Sequence, residues 1–160
     1  VTCFSQALTT FIGQNLGAKE YDRTKKGALF GTICGIGIAE VIGIAVFFFS
    51  PYLIAAFGGD QKAIEYGIAE AHTIALFYCL LAFSHCMAAI QRGAGRSIVP
   101  MFVMMLVWCG VRVTYISIVI RIIPVINVIY WAYPLTWFIS SVIFLILFLK
   151  TDWIHGLEKQ

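Results

Sequence analysis

The sequence predicts an all-α fold, a polytopic bundle of membrane-spanning helices, and three observations carry that prediction. Hydrophobic residues make up 61% of the 160-residue chain and charged residues only 12%, against roughly 25% charged residues in an ordinary soluble domain. The mean hydropathy is +0.90. Charge is also absent from long stretches: Ala71–Gln91 and Ile122–Leu149 contain no Lys, Arg, Asp or Glu, Gly27–Gly59 contains only Glu40, and Ser97–Ile120 only Arg112. About 20 apolar helical residues cross a bilayer core, so four complete spans fit. A water-exposed chain this apolar lacks the polar groups to cover its own surface.

The elements follow in order. Residues 1–17 are moderately apolar and rich in Ser, Thr, Gln and Asn, and read as the end of a transmembrane helix. The opening Val1-Thr2-Cys3-Phe4 has no Met and no basic region before an apolar core, so it is not a signal peptide and is expected to be internal to a longer protein. Gly17 is expected to end this helix in a left-handed conformation. Residues 18–26, the most charged stretch, read as a polar loop or short surface helix. A span at 27–50 is expected to be broken by Pro51, a second runs over 65–92, and Gly93–Arg96 forms a tight turn. The third span, 99–121, starts near Pro100 in a favourable first-turn position. Pro124 and Asn127 mark the next turn, the fourth span covers 128–149, and a polar tail occupies 150–160.

Orientation follows from the basic residues. Lys19, Arg23, Lys25, Lys26, Arg92, Arg96, Lys150 and Lys159 fall at one set of span ends, and Lys62 and Arg121 at the other. Positive loops stay inside, so residues 18–26, the turn at 92–96 and the C-terminal tail are expected in the cytoplasm. The net charge of +3 is spread over short loops and does not form a nucleic-acid surface. The five cysteines form no C-x-x-C pair, and no metal spacing, phosphate-binding Gly loop or nucleophile–base set is present. No enzyme, cofactor or metal centre is expected.

Candidate functional residues are those that are expensive to bury. Glu40 sits mid-span, where a carboxylate faces protein or water rather than lipid. It reads as a proton or cation site, as a counter-charge for a cationic substrate, or as a structural partner of Arg112. Arg112 keeps its proton and must pair with a carboxylate or with carbonyls, holding helices in register. His85, with Ser84 beside it, reads either as a proton relay or as a hydrogen-bonded core residue. Tyr130, Trp131, Tyr133 and Trp137 form either an interfacial belt or an aromatic face for organic cations, with Pro134 expected to kink their helix. Gly27, Gly31, Gly35, Ala39 and Gly43 form a small-residue stripe for close helix approach, as static packing or as a sliding interface.

Four segments together resemble one family. Phe11-Ile12-Gly13-Gln14-Asn15-Leu16-Gly17-Ala18-Lys19 is similar to the G-Q-N-x-G-A segment of multidrug and toxic compound extrusion (MATE) transporters. Gln91-Arg92-Gly93-Ala94-Gly95 resembles the turn after that family's tenth helix, and Trp108–Val113 the W-x-x-x-R pattern of its eleventh. Tyr130–Trp137 resembles the start of the twelfth. The resemblance implies a C-terminal lobe fragment, from the end of helix eight through helix twelve, of a twelve-helix transporter. It further implies a plasma-membrane antiporter that exchanges protons or sodium for amphipathic, often cationic, organic compounds by rocking two lobes. Its partners would be small organic substrates, the bilayer and the N-terminal lobe of the same polypeptide. The coupling ion would be bound mainly outside this segment, with no other cofactor. A lipid-linked precursor flippase of the wider superfamily and a non-transporting membrane scaffold remain as rival readings.

Overall fold

The computed structural model describes residues 1–154 and is helical throughout, with short connections. Helix α1 spans Thr2–Gly17, α2 spans Tyr21–Ala56, α3 spans Gln61–Ala75 and α4 spans Tyr78–Gly93. Helices α5 (Ile98–Met104) and α6 (Arg112–Ile122) are joined through a π-helical segment, Met105–Val111, into one apolar rod. Helix α7 covers Asn127–Lys150. Three helical stretches are long and apolar enough to cross a membrane, Tyr21–Ala56, Ile98–Ile122 and Asn127–Lys150. The pair α3–α4, bent by 56°, makes a fourth.

The packing of α3 and α4 shows that this pair runs on in one direction rather than doubling back. Both lie antiparallel along the single helix α2. A Cβ on Gly67 would meet Ile54, His72 stacks on Phe47, Ala75 lies against Gly43, and Cys86 lies against Gly35. The contacts advance steadily in both chains, so α3 covers the second half of α2 and α4 the first. Helix α1 runs antiparallel to α2 through Phe11–Gly27, Leu8–Gly31 and Phe4–Gly35. It runs parallel to α4, where the Thr9 hydroxyl donates to the Ala89 carbonyl (3.3 Å) and Gly93 abuts Ile12. Helix α7 is parallel to α4 on its other side, and the π segment is antiparallel to α7. The core is therefore built around α4: Ala82, Ser84 and Ala88–Ile90 are fully buried, with Ile12 and Phe144 against them.

Several local expectations change. At 36 residues α2 is about 54 Å long at 1.5 Å per residue, well beyond a bilayer core of about 30 Å. It begins at Tyr21, so the charged stretch expected as a loop over 18–26 is mostly its first turns. It also runs through Pro51. The proline removes the amide that would bond the Phe47 carbonyl, and the Ser50 hydroxyl donates to that carbonyl instead (3.3 Å). Gly17 is helical, and the left-handed residue is Lys19 (φ 60°). The Glu20 amide donates to the Asn15 carbonyl and the Lys19 amide to that of Leu16, a Schellman termination. The same six-residue pattern ends α4, with Arg96 bonding to Gln91, Gly95 to Arg92, and Gly95 left-handed. The second span, read as continuous over 65–92, breaks at Leu76–Phe77. The tail expected as polar over 150–160 turns back at its start. Trp153 is buried and stacks on Phe148 at 5.2 Å, and Arg96 donates to the Asp152 carbonyl at 3.0 Å. The rest of that tail, residues 155–160, lies outside the described residues.

Candidate functional site: polar groups inside the helix bundle

Two polar assemblies lie within the spans. The first joins α4, α7 and the π segment. Ser84 is fully buried, and its hydroxyl lies 2.9 Å from the hydroxyls of both Ser140 and Ser141. The Ser141 hydroxyl donates to the Leu80 carbonyl (3.2 Å), that of Ser140 to the Trp137 carbonyl (3.0 Å), and the Trp108 indole N–H to Ser140 Oγ (3.4 Å). One turn along α7, Thr136 accepts from Nη2 of Arg112 (2.7 Å) while donating to the Ala132 carbonyl (2.9 Å). The Arg112 guanidinium lies over the Tyr133 ring at 4.3 Å and beside Trp108 at 5.8 Å, and its Nε is buried with no partner among the described residues. His85 meets Trp108 edge to face at 5.4 Å. The sequence places Thr136 and Ser140 four apart, on one helix face. That spacing was the available signal for a polar seam with Ser84, a signal the candidate residues Ser84 and His85 captured only on the α4 side.

The second assembly is at the break between α3 and α4. Glu40 Oε2 accepts a hydrogen bond from the Cys79 backbone amide, in the first turn of α4 (3.2 Å). A carboxylate there suits the positive end of a helix dipole. The Glu40–Arg112 pairing, one of the alternatives for Glu40, is not what forms. Glu40 engages the start of α4, and Arg112 engages Thr136 and the Tyr133 and Trp108 rings.

The aromatic residues divide. Trp131 is half exposed and touches Phe77 (5.9 Å), as an interfacial residue does, whereas Tyr130 and Trp137 are buried. Trp137 lies between Tyr78 (6.1 Å) and Tyr133 (6.2 Å). Pro134 sits inside α7, which continues past it to Lys150. The glycine stripe is packed. A Cβ on Gly31 would approach Leu8 to 2.8 Å, on Gly35 Cys86 to 2.8 Å, and on Gly43 the Ala75 carbonyl oxygen to 2.5 Å.

Apolar helices long enough to span a bilayer, closed around buried hydroxyls and a guanidinium, define a multi-pass helical membrane protein. The MatE family model matches residues 1–116, and the chain belongs to the MatE family. That match takes in the segments around Gln14-Asn15, Arg92–Gly95 and Trp108–Arg112, and ends before the aromatic run at Tyr130. A Thermotoga maritima protein described as a probable multidrug resistance protein NorM is 29% identical over 99 residues, 62% of this chain and 21% of that protein. The matched segment thus spans about a fifth of that relative.

Proposed function

We propose that the chain forms part of an ion-coupled antiporter that exports amphipathic, often cationic, organic compounds across the cell membrane by alternating access. Membership of the MatE family carries this reading, supported by the description of the Thermotoga maritima relative as a probable multidrug resistance protein. Further helices of the same transporter are the partner it requires, because the match corresponds to a fifth of that relative. The rod Ile98–Ile122 agrees with such a partner or with lipid: only 6% of its apolar stretch is buried within the chain. The coupling ion, proton or sodium, drives the exchange, and no other cofactor is assigned. The chemistry inside the spans fits a transporter, since buried polar groups between membrane helices mark substrate and ion pathways.

The test uses the full-length protein in sealed vesicles loaded with a fluorescent lipophilic cation. Export that follows an imposed proton or sodium gradient is expected. No gradient-dependent movement of any cationic dye would sink the reading. In the same assay Glu40→Gln is expected to lower the initial export rate severalfold at unchanged membrane abundance. An unchanged rate would make that carboxylate structural.

A further inference from the structure

We propose that the groove between α2, α4 and the end of α7 binds one acyl chain of an anionic phospholipid, with the lipid phosphate held at Lys25. The proposal stands apart from the antiport reading, since lipid occupancy is measured without transport.

The lining comes first. The groove has a volume of about 580 Å³, inside the range of about 300–1,000 Å³ for small-ligand sites. Helix α2 supplies one wall through Lys25, Leu29, Ile33 and Ile36, which share a face at spacings of three and four. Helix α4, between α2 and α7, supplies Phe83 and Met87, and Phe148 with Trp153 closes the α7 side. Thr32 is the other polar residue of the lining, and its hydroxyl is already spent on the Ala28 carbonyl (2.8 Å). The groove therefore asks for hydrocarbon along its length and offers one amine at its end.

Depth decides between occupants. From Lys25 to Ile36 the groove runs about 16 Å along α2 at 1.5 Å per residue, half of a hydrocarbon core of about 30 Å. Past Ile36 it closes, because Glu40 accepts from the Cys79 amide and Gly43 abuts Ala75. That length matches the acyl chain of a single leaflet. A further spanning helix of the same polypeptide would need a track through the whole core.

Charge selects the headgroup. The groove opens at the end of the bundle where the basic residues collect, the cytoplasmic end by the positive-inside rule. Lys25 is exposed and has no ion-pair partner among the described residues. Glu20, Asp22, Arg23 and Lys26 surround a separate depression on another face of α2, so of this cluster Lys25 alone lines the groove. On the tail side Arg96 donates to the Asp152 carbonyl, next to Trp153, and brings a second cation to the rim. Even with the Asp152 carboxylate beside it, the described rim is cationic. Basic pockets between membrane helices on the cytoplasmic side hold anionic headgroups. An organic cation has the apolar body for this groove but meets Lys25 with the wrong sign.

The test places the full-length protein in phosphatidylcholine nanodiscs with a trace of phosphatidylglycerol that carries a diazirine midway along one acyl chain. Photolabelled positions are mapped by mass spectrometry. Labelling is expected at Leu29, Ile33, Phe83 and Met87, well above the level at Leu106 and Ile118 on the exposed rod. Lys25→Gln is expected to lower groove labelling about fivefold, the worth of one lysine near an anionic headgroup, with labelling of the rod unchanged. Phosphatidylcholine carrying the same diazirine is expected to label the groove severalfold less than phosphatidylglycerol. Ile33→Trp, at a position 60% exposed, fills the groove without crowding the core and is expected to abolish its labelling. Equal labelling of groove and rod, equal labelling by the two lipids, or wild-type labelling in Lys25→Gln overturns the inference. An unlabelled groove overturns it and assigns that face to other helices of the polypeptide. Labelling that a lipophilic cation displaces assigns the groove to a transported compound and overturns it as well. Groove labelling in a protein that exports no dye sinks the antiport reading alone, and export without groove labelling sinks the lipid site alone.

Discussion

Arg112 shows how a membrane arginine is accommodated with no counter-carboxylate among the described residues. Its guanidinium has the Thr136 hydroxyl at 2.7 Å and the Tyr133 face at 4.3 Å, and the threonine is polarised by its own donation to Ala132. Arg112→Lys keeps the charge but loses the planar fork that both donates and stacks. A charged hydrogen bond of about 1.5–3 kcal/mol and a cation–π contact of about 0.5–2 kcal/mol are both weakened. The expected loss is about 1–3 kcal/mol, read as a lower midpoint of unfolding in detergent or bicelles. A midpoint equal to wild type would mean that the guanidinium geometry is immaterial. From the sequence, the cost of burying Arg112 and Glu40 marked both residues. It could not reveal their partners, because a hydroxyl on α7 and a backbone amide at a helix break carry no sequence pattern linking them to those charges.

At the scale of elements, spans were legible and their interruptions were not. Hydropathy marked the stretches that form helices long and apolar enough to cross a membrane, since that property sums over twenty residues and tolerates local detail. Pro51 was misjudged because a single hydroxyl, Ser50, satisfies the carbonyl it frees. The break at Leu76–Phe77 has no proline and no glycine, and the Cys79 amide just beyond it bonds to Glu40 on another helix. The small-residue stripe on α2 was visible by its spacing of four, but the surfaces it meets differ along its length. Gly31 and Gly35 face side chains, which can yield. Gly43 faces a backbone carbonyl, which cannot move without the helix. Gly43→Ala is therefore expected to cost about 1–3 kcal/mol, the range for overpacking, and Gly35→Ala distinctly less. Thermal unfolding of both variants in the same detergent checks the order, and a reversed order would contradict the packing described.

At the scale of the molecule, one end of the bundle collects the basic residues. Lys19, Arg23, Lys25 and Lys26 stand where α1 ends and α2 begins, Arg92 and Arg96 where α4 ends, and Lys150 where α7 ends. The antiparallel and parallel contacts put these termini on one side. If positive loops remain inside, the C-terminus is cytoplasmic. A reporter fused after Gln160 is expected to be active only in a cytoplasmic-folding format, and a thiol introduced at position 97 is expected to resist membrane-impermeant reagent in intact cells. Labelling at 97 together with protection at 62 would reverse the assignment. One of the motifs, Gln91–Gly95, has a backbone reason, since the left-handed turn at Gly95 favours glycine. The substrate could not be read from such motifs, because a binding cavity is a property of helices assembled from distant parts of a chain.

One feature of α2 reaches beyond its own packing. A single unbroken rod of 36 residues has α3 against one half and α4 against the other, so the two limbs of a jointed helix share one splint. The splint fixes where the joint is and also limits how it moves. Because each limb is keyed to α2 by close glycine contacts, flexing at Leu76–Phe77 must slide one limb along the rod or roll the rod itself. A rolling rod would carry Lys25 and Lys26 around at its far end. A flexing of the joint would then be felt at the water's edge as a turn of charge, without any helix having to unfold.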